Sequence, residues 1–151
     1  MRLASWIVLA LLPTLAACGV RYHGSYGGSS FTSGVGGHVN GKHVSYGTLH
    51  GDCSRYGVSA NCDQATMDFH PDHDPKDFEL VVRVFQDLDG NEVYSEGVDR
   101  MLAVSTPGRV AGQELSLDRI QFNFRPHHEP IAMSFELMKD GEVIYQRGEG
   151  F

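Results

Sequence analysis

Residues Ile120–Leu137 read IQFNFRPHHEPIAMSFEL, and the fold turns on their period. Ile120, Phe122 and Phe124 alternate with Gln121, Asn123 and Arg125. Beyond RPHHEP, Ile131, Met133, Phe135 and Leu137 alternate with small or polar partners. Successive side chains of a strand point to opposite faces, so a period of two gives each segment one apolar face. The two strands are adjacent in sequence through RPHHEP, and if they pair, Phe122, Phe124, Met133 and Phe135 face one interior. The same alternation continues upstream at Ala65, Met67 and Phe69, and FELVVRVFQ (Phe78–Gln86) reads as a strand apolar on both faces. No helical period runs anywhere in the chain after the N-terminal leader. The expectation is an all-β domain, a small immunoglobulin-like β-sandwich of two packed sheets.

Turn chemistry divides these strands. Asn40-Gly41 suits a two-residue turn with positive φ at both positions, between short, glycine-rich strands. DGNEVYSEG (Asp89–Gly97) and DGEVIYQRG (Asp140–Gly148) share Asp-Gly, a following Val or Ile, a Tyr and a closing Gly. Each predicts a β-hairpin.

The N-terminus supplies an address. MRLASWIVLALLPTLAAC carries Arg2, an apolar run too short to span a membrane, and small residues before Cys18. The Leu15-Ala16-Ala17-Cys18 stretch resembles the bacterial lipoprotein box. The resemblance implies cleavage after Ala17, acylation of Cys18 and anchoring by several acyl chains, with Gly19 in the next position favouring the outer membrane. Residues 1–17 are then signal peptide, 18–37 a lipidated Cys and flexible Gly/Ser-rich tether, and 38–151 the sandwich. An exported protein meets an oxidising space, so Cys53 and Cys62 are expected to form a disulfide.

Charge is unevenly distributed. All 19 acidic residues lie from Asp52 onward, so the folded part is strongly acidic, which argues against nucleic acid as a partner. The chain lacks a Gly-x-Ser-x-Gly elbow, a phosphate loop and an HExxH helix, and no enzyme is expected.

Ser, His and Asp are all abundant, and histidine, with eight in the chain, is rich for this length. If Asn40-Gly41 is a turn, His38 and His43 face each other across two strands. FHPDHDPKDF (Phe69–Phe78) adds His70, Asp72, His73 and Asp74, and RPHHEP adds His127 and His128. Imidazole with carboxylate could hold Zn or Cu, while prolines bracketing acidic residues equally describe solvated turns. The reading that follows is a lipid-anchored, periplasm-facing module that binds or scaffolds an envelope protein partner. A metal-binding lipoprotein stands second. ELVVRVFQDL also resembles, over ten residues of common strand composition, a strand of type VI secretion outer-membrane lipoproteins, which leaves a subunit of an envelope or secretion machine as a third reading.

Overall fold

The computed structural model describes residues 26–150. Ten strands form two antiparallel sheets packed face to face. They are β1 (Tyr26–Val39), β2 (Lys42–Tyr56), β3 (Ser59–Phe69), β4 (Phe78–Gln86), β5 (Arg100–Val104), β6 (Arg109–Ala111), β7 (Glu114–Ser116), β8 (Ile120–Asn123), β9 (Ile131–Lys139) and β10 (Glu142–Gly150). The larger sheet runs β1-β2-β3-β7-β6, with β8 also paired to β3; the smaller runs β10-β9-β4-β5. The all-β sandwich expected from the alternation is the fold. Cys18 and the signal peptide lie outside the described residues.

Two turns follow their local chemistry. Asn40 and Gly41 both have positive φ (50° and 75°), as do Asp140 and Gly141 (53° and 79°), so the β1–β2 and β9–β10 hairpins close where Asn-Gly and Asp-Gly occur.

The core lies between the sheets, where Leu49, Met67, Leu80, Val82, Met133, Phe135 and Leu137 are essentially inaccessible to solvent. Each such side chain contributes roughly 1.5–3 kcal/mol of hydrophobic stabilisation. Cys53 and Cys62 sit directly opposite one another on β2 and β3 and form the expected disulfide, with Cys62 Sγ 3.3 Å from Met133 Sδ of the facing sheet. Closing a loop of this length stabilises by about 2–3 kcal/mol in the chain-entropy account. Arg55, buried and desolvated so that its pKa is lowered, ties the β2–β3 turn to the segment before β9. It donates to the Gly57 carbonyl at 3.0 Å, pairs with Glu129 and lies 4.6 Å over the Phe124 ring.

Three expectations are corrected. The tether does not extend to residue 37, because a strand of 14 residues begins at Tyr26 and pairs along its whole length with β2, so both hairpin strands are long. Glycine and serine do not prevent this: Phe31 packs edge-on against Phe135 with ring centroids 5.0 Å apart, Val35 is buried, and the partner strand satisfies the backbone. Gly51 makes room for Phe31, since a Cβ there would overlap its ring.

The segments around Phe122 and Phe135 do not pair. β8 joins β3 in the larger sheet and β9 joins β4 and β10 in the smaller, so RPHHEP crosses between sheets. Phe122 is only partly buried and stacks on Phe124, whereas Phe135 is fully enclosed.

DGNEVYSEG is not a hairpin. It belongs to an irregular loop between β4 and β5 that lies across the outer face of the smaller sheet. The compositional step at Asp52 falls inside β2.

Candidate functional site: a roofed cleft on the four-stranded sheet

The outer face of a β-sandwich ordinarily meets water, yet on β9 both faces are covered, and Ser134 and Glu136 are buried alongside the core residues. The cover is the loop from Asp87 to Asp99. Its course is set by two carboxylates. Asp87 accepts hydrogen bonds from the amides of Gly90 (2.8 Å) and Glu92 (3.0 Å), and Asp99 from those of Leu88 (2.8 Å) and Ser95 (2.7 Å). Asp89 accepts from the Asn91 side chain at 3.0 Å and from the Ser95 hydroxyl at 3.0 Å. Charge-assisted bonds of this kind hold a loop that has no ladder of its own. Gly148 on β10 lets the loop settle, because a Cβ there would overlap the Glu92 carbonyl.

Once settled, the loop sets Tyr94 against Phe85 (centroids 5.5 Å apart) and over the Arg83 guanidinium at 5.6 Å. Beneath lie three side chains from adjacent strands. Arg83 Nε of β4 donates to Glu136 Oε2 of β9 at 2.8 Å, and Gln146 Nε2 of β10 donates to Glu136 Oε1 at 3.1 Å and to Ser134 Oγ at 3.2 Å. Glu136 is only 3% exposed and still lines an open cleft of about 490 Å³, bounded by Arg83, Tyr94, Glu96, Val143 and Gln146. That volume lies within the range of small-ligand sites. Sequence alternation marks Glu136 only as an outward polar position; its burial depends on a loop distant in sequence.

The candidate metal ligands distribute differently. His38 and His43 do pair across the first hairpin, with ring centroids 5.5 Å apart. His70 and His73 both bind Ser45, through its hydroxyl at 3.0 Å and its carbonyl at 3.0 Å, and His73 packs against Tyr46 and Phe78. Asp72 lies 3.7 Å from His73, and Asp74 caps the short helical turn at Pro75–Asp77. His127 packs edge-on against His128, whose Nδ1 accepts from the Arg125 amide at 3.3 Å. Among the described residues, the ligand atoms that converge as a group of three are the carboxylates of Asp87, Asp89 and Asp99, within 4.8 Å of one another. Those carboxylates are engaged by the loop's own donors.

One arrangement escaped sequence reasoning altogether. On the outer face of the larger sheet, Thr32 Oγ1 lies 3.1 Å from His50 Nδ1, and His50 Nε2 lies 3.1 Å from Asp68 Oδ2, a row across β1, β2 and β3. Ser30 donates to Asp52 beside it at 2.9 Å. Hydroxyl, imidazole and carboxylate are the components of a nucleophilic triad. Here they stand on a solvated sheet face, one on each of three neighbouring strands, with no enclosing pocket wall from the other sheet. Only knowledge of the register could have assembled this row.

No family model, curated protein or solved structure matches this chain. Its functional reading therefore rests on the cleft and on the sequence itself.

Proposed function

We propose that this chain is a lipid-anchored, periplasm-facing module of the bacterial outer membrane that binds a partner or ligand at the cleft over β4, β9 and β10. The observation that carries this reading is Glu136, a carboxylate buried to 3% exposure at the floor of an open cleft. A buried charge is costly unless it is paired and hydrogen-bonded. Arg83 and Gln146 supply its partners and fix its geometry in advance of any ligand. The lipobox at Cys18 and the Cys53–Cys62 disulfide support an exported, oxidising location. The acidic balance of the folded part argues against nucleic acid.

The test is a photoreactive residue at Glu96, on the cleft rim, introduced into the full chain in the source bacterium. A light-dependent adduct that is lost in Arg83→Ala supports the reading. No adduct, or an equal adduct from a photoreactive residue at Asp63 on the other sheet, contradicts it. The anchor has its own test: Cys18→Ser should abolish metabolic lipid labelling, and unchanged labelling would refute it.

A second reading, Zn or Cu capture, is favoured by the His38–His43 pair at the exposed hairpin end. Stoichiometric metal binding lost in His38→Ala would support it, and an unchanged titration in that variant would exclude this pair.

A further inference from the structure

Five of the residues bounding the cleft carry polar groups of different kinds. Arg83 offers guanidinium donors and Tyr94 a phenol. Gln146 has a carbonyl oxygen beyond the amide nitrogen bonded to Glu136 and Ser134. Glu96 offers carboxylate oxygens, and Glu136 Oε2 has a lone pair beyond its bond from Arg83, while Oε1 accepts from both Gln146 and Ser134. Donors and acceptors thus interleave on one small surface. A ligand of only acceptors, such as a phosphate, or only donors, such as an ammonium, would leave half of them unmatched. A hydroxyl both donates and accepts and suits such a surface.

Charge points the same way. Arg83 and Glu136 neutralise each other, and Glu96 leaves the cleft with one net negative charge, which disfavours anions. Glu96 is exposed at the rim, where water screens its attraction for a cation. Tyr94 and Val143 add apolar surface on the walls, matching the C–H faces of a saccharide ring.

We infer that the cleft binds an uncharged, polyhydroxylated ligand, a neutral saccharide or the unit of a glycan strand, through Arg83, Glu136 and Gln146 with Tyr94 as its wall. The inference rests on the cleft being a binding site, as proposed above, and names its ligand class. Because the Arg83–Glu136–Gln146 set is bonded before a ligand arrives, little side-chain ordering is left for the binding step.

The experiment is calorimetric titration of the full chain, purified from membranes in a non-glycosidic detergent, with chitotetraose, cellotetraose and maltotetraose. Inorganic phosphate and L-arginine serve as comparators. Saturable binding of at least one saccharide is expected, weakened about tenfold or more by Tyr94→Ala and by Gln146→Ala. Denaturation midpoints near that of the parent show that these variants fold. The inference is overturned if no saccharide binds at about 10 mM, if binding ignores both variants, or if phosphate or arginine binds at this cleft instead. Arginine binding there would refute the saccharide class and leave the binding-module reading standing. Silence from every probe together with no adduct at Glu96 would end both.

Discussion

Arg83 and Glu136, on neighbouring strands of the smaller sheet, form a 2.8 Å ion pair on the face opposite the core, with the carboxylate almost completely enclosed. Its burial is produced by the loop above, whose Tyr94 lies over the guanidinium. Removing one partner leaves a buried charge uncompensated. Arg83→Ala is expected to destabilise the fold by about 3 kcal/mol, while joint replacement by Arg83→Met and Glu136→Leu should recover most of that loss. Chemical denaturation of the three variants decides it. A cost below about 1 kcal/mol for Arg83→Ala would mean that the pair is solvated.

Phe122 and Phe135 differ in how deeply they are buried. Phe135 is fully buried against Phe31, and its truncation to Ala should cost about 3–5 kcal/mol. Phe122, partly exposed and stacked on Phe124, should cost about half as much or less. Equal losses in denaturant titrations would contradict the unequal burial of Phe122 and Phe135.

Gly148 is where the loop touches β10. Gly148→Ala should push the Glu92 segment outward and increase protease cleavage within residues 88–98, because the added methyl meets the Glu92 carbonyl. Unchanged cleavage would show that the loop does not rest there.

What the sequence disclosed follows the range of the physics involved. Asn40-Gly41 and Asp140-Gly141 were legible because positive φ is a local demand. The β9 alternation was legible because one face of every strand must reach a core. The Tyr26–Val39 strand was hidden because its glycines suggest a tether, and what orders it is a partner strand and the facing Phe135. Asp89–Gly97 carries the residues of a hairpin turn, but Asp87 and Asp99 bind its amides and lay it over the sheet instead. The cleft could not be read at all, since Arg83, Glu136 and Gln146 meet only through the registers of three strands. The histidines drew attention by abundance, yet His73 and His128 are engaged in turn and packing contacts.

His128 carries a pH signature. Loss of hydration, then the positive charges of His127, Arg100 and Arg125, hold its pKa below the ordinary imidazole range. The unfolded chain, titrating near about 6.5, therefore binds this proton before the folded one does. In that window the unfolded state holds more protons, so stability falls as pH drops from about 6.5 towards the lowered folded value. His128→Gln should flatten that part of the pH–stability profile. An NMR titration giving His128 a pKa at or above the ordinary value would contradict this.

Asp87 to Asp99 forms a fixed wall of the cleft, held by its own carboxylates. Amide hydrogen exchange of the full chain, read residue by residue, tests it most directly. The amides of Leu88, Gly90, Glu92 and Ser95, each within 3.0 Å of an Asp87 or Asp99 oxygen, should be protected relative to Glu96 and Gly97, and Asp99→Asn should weaken protection at Leu88 and Ser95 first. Exchange of all four at the rate of an unstructured chain would contradict the claim, and with it the cleft.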